Sequence, residues 1–330
     1  MPFTDATLPE LPDFDSLTLD PNGPPGNTWG LFGKDDELGM LNLLTPETVA
    51  AAAAREIKTG IRISLDLPLN QPNFPSFDRQ PFHHETRQRG ADRCVNDDIV
   101  HFNTQSSSQW DGFRHYGNQK HKCYYMGHTQ QAVQSSNVIG TDAWLRAGGG
   151  IHGRGILVDY ARFAAANGIA IDPFSSQPIP LAHVEQILRE THTVPRRGDI
   201  LLLRTGTDAA LKALSPAAQQ ALAARPEPNF VGLEATRATL RWLWAAGFAA
   251  AASDAPSFER GPVMGAHHDP AHVLHQWLLA GWGMPIGELF DLEGVAAECE
   301  RQGRWAFWFG SVVLNVPGGV ASPPNAVAIF

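Results

Sequence analysis

The sequence predicts an α/β protein built on a mixed sheet flanked by helices. Short apolar runs recur at residues 155–160, 199–203, 248–253 and 311–316, each of strand length. Helical patterns stand between several of them, at 181–192, 233–246 and 271–280. Gly247 and Gly281 lie just past two of those patterns, where helix C-terminal glycines belong.

Taken in order, residues 1–28 hold six prolines and little periodicity, which reads as an extended arm over the body or over a partner subunit. Thr45-Pro46 reads as an N-cap followed by proline at the first helical position, opening an alanine-rich helix to about Lys58. Residues 61–69 alternate as a strand, whereas 70–98 are polar with no clear period, a long irregular segment of the kind that tends to carry function. In the 233–246 helix Leu233, Leu240, Leu243 and Trp244 share a stripe, which is ordinary core packing. The domain organisation expected is an arm and helix over 1–60 packed on a single α/β domain over 61–330.

Bulk composition excludes several function classes. With 330 residues, 43% hydrophobic, the chain is long enough for a large core. Lys plus Arg is 25 against 34 for Asp plus Glu, a formal charge of -9, with no basic run. Such a chain has no footprint for nucleic acid or anionic membrane. No apolar stretch reaches membrane-spanning length, and the acidic N-terminal segment lacks the basic and apolar regions of a secretory signal. Cys94, Cys123 and Cys299 are widely spaced and odd in number, against a disulfide framework. Cytoplasmic residence is expected. Gly148-Gly149-Gly150 follows no clear strand and has no nucleotide-binding spacing.

The chemistry concentrates between Gln105 and His115. In an extended strand Gln105, Ser107, Gln109 and Asp111 share one face. Gly112 then permits a turn that brings His115 back toward them. Asp111 sits between Trp110 and Phe113, among residues that favour burial, and a buried carboxylate needs a metal ion, a histidine or another partner.

With those residues the chain resembles the cyclase family, which includes bacterial kynurenine formamidases and isatin hydrolases. Their signature, H-x-G-T-H-x-D-x-P-x-H, aligns here with Gln105-x-x-x-Gln109-x-Asp111-x-x-x-His115. A second family pattern, histidine on a helix followed by a glycine break and glutamate, matches His275 through Glu288. Further matching segments are 154–159, 198–206 and Ser253-Asp254-Ala255-Pro256-Ser257-Phe258-Glu259. Residues 29–42 and 315–319 are similar to a longer subgroup with a Gln-Trp-Asp-Gly variant. The resemblance implies a swivelling β/β/α fold, a homodimer or homotetramer, and hydrolysis of a small cyclic amide, lactone or N-acyl compound.

The resemblance also implies roles. Asp111, His275 and Glu288 match metal ligands, and His115 matches the group that takes the proton from attacking water. Two histidines of the pattern are Gln105 and Gln109 here, and a carboxamide is a weak ligand beside imidazole, so one metal position is weakened or lost. One divalent ion, Zn²⁺ or Mn²⁺, is therefore expected, with Gln105 and Gln109 gripping substrate. Trp29, Trp110 and Phe113 are expected as apolar walls for a flat ring. The alternatives are a metal-independent hydrolase or cyclase using the same pocket, and a small-molecule-binding member without catalysis. Each residue also has a structural reading. Asp111 suits a turn, His115 or His275 a core hydrogen bond, and Glu288 a helix N-terminus. His267, His268 and His272 read as surface residues or as support behind ligands.

Overall fold

The computed structural model describes residues 10–330. Nine strands form one mixed sheet: β1 (Arg62–Ser64), β4 (Gln109–Asp111), β5 (Ile151–Asp159), β7 (Ile200–Arg204), β9 (Ala250–Ser253), β10 (Ile286–Glu288), β11 (Ala306–Ser311), β12 (Ala321–Ser322) and β13 (Ala326–Ile329). Their order is β1-β13-β11-β5-β7-β9-β10-β4-β12. The four central strands β5, β7, β9 and β10 are parallel, and both flanks are antiparallel. Two small pairs lie outside this sheet: β2 (His83–Gln88) with β3 (Asn96–His101), and β6 (Pro178–Ile179) with β8 (Gly232–Leu233).

Sequence explains the centre. In β7 the residues Ile200, Leu201, Leu202 and Leu203 are all buried, as are Ala250, Ala251, Ala252 and Ser253 of β9. Strands covered on both faces read as unbroken apolar runs, which is why these segments show no alternation. The helix Leu181–Glu190 presents Val184, Ile187 and Leu188 to the core, and Arg237–Ala246 presents Leu240, Leu243 and Trp244. That second helix starts at the Thr236 cap, later than its pattern predicts, and ends at Gly247 with φ 67°, as its pattern predicts. Thr45 caps the helix Pro46–Glu56 by accepting from the Thr48 amide.

Three expected elements are shorter or displaced. The strand expected at 61–69 stops at Ser64, because β13 begins at Ala326, whose carbonyl takes the Leu65 amide and whose own amide is taken by the Asp66 side chain. The strand expected at 311–316 is instead β11, which ends at Ser311 because its partner β5 begins at Ile151. The helix expected at 271–280 is a π-helix over Gln276–Trp282, and its left-handed cap is Gly283 rather than Gly281.

From residue 10 the N-terminal segment is bonded to the body; residues 1–9 of the expected arm lie outside the described residues. The Trp244 indole donates to Pro12 O at 2.8 Å, and Asp15 accepts from both Arg237 and Arg241. Further along, Met40 N donates to Gly283 O at 2.8 Å, which ties the N-terminal segment to the end of the π-helix. In the polar stretch after residue 70, β2 and β3 form a hairpin whose twelve residues are all exposed. No helix among the described residues is long and apolar enough to cross a membrane.

The Gly39–Gly283 contact gives a stability prediction. Gly39 has φ +53°, and a Cβ there would stand 2.0 Å from Gly283 O. Gly39→Ala is expected to lose about 1–3 kcal/mol through overpacking and about 1–2 kcal/mol through the left-handed backbone. Gly60→Ala, at φ +73° in open space, should lose only the backbone contribution. Urea denaturation of both variants checks this, and equal losses would refute the contact argument.

Candidate active site

Two antiparallel neighbours, β4 and β10, build one wall. Their register sets Asp111 opposite Ile286 and Glu288 opposite Gln109, so Gln109, Asp111 and Glu288 share a face of the sheet. Trp110 points the other way, into the core between Phe290 and Phe309. Gly287 faces it across the ladder, and a Cβ there would meet Ala252 Cβ at 2.4 Å. The Gln109 side-chain amide donates to Glu288 Oε2 at 2.6 Å.

Gln105 arrives by another route than strand alternation. The strand covers only Gln109–Asp111, and residues 103–106 form a turn closed by Ser106 N on Asn103 O, followed by a bend to Ser108. Ser108 pins this turn by accepting from Leu67 N and donating to Leu289 O. From the turn, Gln105 Nε2 donates to Asp111 Oδ1 at 2.7 Å and lies 2.9 Å from His115 Nδ1. His115 is brought back by the turn at Gly112, with His115 N donating to Gly112 O at 2.9 Å. There a Cβ would meet Thr141 at 2.7 Å and Val320 O at 2.8 Å, so glycine is required for space.

His275 closes the site from the opposite side. Its Nδ1 is 2.8 Å from Glu259 Oε1, and its Nε2 is 3.3 Å from Glu288 Oε1. Glu259 also accepts from the backbone amides of Leu274 and His275, both at 2.8 Å, so one carboxylate caps this helical turn and orients the imidazole. The rings of His115 and His275 stand edge to face with centroids 6.4 Å apart, and Tyr116 packs edge-on against His275 at 5.5 Å.

Burial and charge set the titrations. Burial pushes the Asp111 carboxyl above its ordinary value, with Glu288 pushing the same way and His115 opposing. Burial lowers His115, which favours a neutral imidazole, while Asp111 opposes it. For His275 burial also disfavours charge, but hydrogen bonds to Glu259 and Glu288 outweigh it and raise the ring to about 10.

The site residues therefore fall into two groups. Asp111, His115, His275, Glu288, Gln105 and Gln109 converge as expected of them. Trp29, Trp110 and Phe113 do not line the site. Trp110 and Phe113 are completely buried, Phe113 packing between Tyr125 and Trp144. Trp29 is buried too, its indole donating to Ala280 O at 2.8 Å. Trp110 is excluded by the same alternation that puts Gln109 and Asp111 on the site face. Sequence reasoning assigned no role to Glu259, although it stands in a family-like segment just after a central strand. His268 lies behind the site, its Nδ1 3.8 Å from Glu259 Oε2, whereas His272 pairs with Asp269 outside it.

A cation fits this donor set. One ligand atom each from Asp111, His115 and His275 lies within 4.8 Å of the others. Asp111 Oδ2 and Gln109 Oε1 are buried without a hydrogen-bond partner among the described residues. This triad shares Asp111 and His275 with the expected set of Asp111, His275 and Glu288, and Glu288 stands 3.3 Å from His275 Nε2 while accepting from Gln109.

The buried pair gives a sharp expectation. Removing the Glu259 carboxylate leaves His275 Nδ1 and two backbone amides unpaired, so Glu259→Ala should lose about 3–5 kcal/mol and Glu259→Gln less. In metal-free protein the His275 ring, raised from 6.5 to about 10, contributes stability present in full below pH 6.5 and lost as pH rises through about 10. Denaturation curves from pH 6 to 10 should show this decline, and Glu259→Gln should shrink it. An unchanged decline in that variant would refute the assignment.

Comparison with known proteins agrees with this geometry. The family model described as Putative cyclase matches residues 61–260. A crystal structure of a novel cyclase is 30% identical, with a TM-score of 0.78 over 92% of this chain and 99% of that one. Isatin hydrolase A from Ralstonia solanacearum is 16% identical with a TM-score of 0.58, covering 86% of this chain and 97% of its own. Isatin hydrolase A from Labrenzia aggregata, in a structure bound to benzyl benzoate, is 17% identical with a TM-score of 0.56 and the same coverage. At such identity the two isatin hydrolases show a shared fold. No curated protein matches the sequence. With the family model spanning more than half of its length, this chain belongs to the cyclase family.

Proposed function

We propose that the protein is a hydrolase of a small cyclic amide, lactone or N-acyl compound. The observation that carries this reading is the buried, unpartnered Oδ2 of Asp111 beside His115 and His275. A buried carboxylate oxygen without a donor is costly unless a cation, a water or a substrate group completes it. A divalent ion, Zn²⁺ or Mn²⁺, held by Asp111 and His275 with Glu288 or the Gln109 amide oxygen, would polarise a carbonyl and make water acidic at neutral pH, leaving His115 free for proton transfer.

The side chains supply the rest. His115, kept neutral by burial, takes the proton from water as its oxygen bonds to the carbonyl carbon. The C–N or C–O bond then breaks, and His115 returns the proton to the leaving nitrogen or oxygen. Gln105 holds His115 and Asp111 in one orientation through its amide. Gln109 and Glu288 fix each other, and Glu259 fixes His275, so little reorganisation remains for the reaction.

A specific observation favours a second reading, hydrolysis or cyclisation without metal. The Gln109 amide donates to Glu288, and His275 lies between two carboxylates, so both acids already have hydrogen-bond partners without an ion. Elemental analysis after metal-supplemented preparation separates the two: about one ion per chain is expected under the first, and less than a tenth would count against it. A screen of lactones and N-formyl aromatics should give turnover that His115→Ala reduces about 10²–10⁴-fold and Asp111→Ala abolishes. Turnover unchanged in both variants would remove the site from the chemistry. Absence of turnover in the parent would leave a binding protein.

A further inference from the structure

We propose that Arg79 is the anion clamp of this site and selects a ligand bearing a carboxylate. This rests on the hydrolytic reading, since opening a lactone or cyclic amide yields a carboxylate. The guanidinium reaches the site through Gln105: Arg79 Nη1 donates to Gln105 O at 2.8 Å, and the same residue's side chain holds Asp111 and His115. No carboxylate pairs with Arg79 among the described residues, although Arg154, Arg204, Arg237 and Arg241 each have one. A half-buried arginine with one backbone acceptor keeps most of its five N–H groups for a ligand. Its planar fork matches a carboxylate in two parallel hydrogen bonds.

The loop carrying Arg79 is shaped for that placement. Phe77 and Asp78, immediately before it, have φ of 63° and 54°, a left-handed backbone that non-glycine residues adopt at a cost. Phe77 sets its ring 4.8 Å from the guanidinium carbon, which fixes the plane of the fork. Phe74, Phe77 and Arg79 line an open cleft of about 580 Å³, and the same three side chains meet Gln105 in a narrow cavity of about 20 Å³ beside it. A ring carrying a carboxylate would find its cation at Arg79 and a flat apolar surface at Phe77, which is 46% exposed.

Benzoate and benzamide, equal in shape and different in charge, test the clamp. Calorimetric titration of each into the full chain is expected to show benzoate bound in preference to benzamide. Arg79→Gln should weaken benzoate about tenfold or more and leave benzamide unchanged, with Arg79→Lys intermediate. A melting curve of each variant verifies folding; if Arg79→Gln does not fold, Arg79→Lys carries the comparison. Equal benzoate affinity in parent and variant, or no preference for benzoate in the parent, overturns the proposal. Benzoate binding that depends on Arg79 in a protein hydrolysing nothing in the screen would keep the clamp and remove the hydrolase.

Discussion

The site depends on one buried chain of charges, Glu259–His275–Glu288. Each member comes from a different segment: Glu259 from the loop after β9, His275 from a helical turn, and Glu288 from the end of β10. All three are buried, and an unpaired charge at such depth costs several kcal/mol. Burial is tolerable here because the imidazole bridges both acids. Glu259 further satisfies two helical amides and Glu288 a glutamine amide. The same bonds fix ring orientation, so the electrostatic requirement of the fold and the geometric requirement of the chemistry are met by the same atoms.

The two glutamines set the hydrogen-bonding character of this pocket. Both side chains direct an NH₂ donor at a carboxylate, Gln105 at Asp111 and Gln109 at Glu288. An amide there neutralises nothing but removes part of the desolvation cost that a cation would otherwise offset. It leaves one buried amide acceptor, Gln109 Oε1, and one bare carboxylate oxygen, Asp111 Oδ2, for whatever enters.

Much of this was legible before any coordinates. Thr45-Pro46 opens a helix and Gly247 closes one because capping is local chemistry. The turn at Gly112 and the return of His115 follow from a glycine among bulky neighbours. Convergence with His275 and Glu288, more than 150 residues away, was legible only through family resemblance. Glu259 stayed hidden because nothing local marks a glutamate that caps a turn sixteen residues later. The aromatic walls failed for different reasons. Trp110 follows from strand alternation, which already assigned it to the core. Trp29 is placed by a carbonyl at Ala280, a tertiary contact without local signal. The π-helix at Gln276–Trp282 likewise has no periodic signature distinct from an α-helix.

The solitary hairpin of β2 and β3 has its own thermodynamics. Its two strands are paired only with each other and all twelve residues are exposed, and a two-stranded ribbon alone is marginal in water. Its order is therefore decoupled from that of the nine-stranded sheet. Arg79 stands at the foot of this ribbon, four residues before it begins, while Asp111 and His275 are anchored in the body. On warming, grip on a charged ligand should loosen before the reacting groups lose their alignment, and affinity would fail at a lower temperature than turnover.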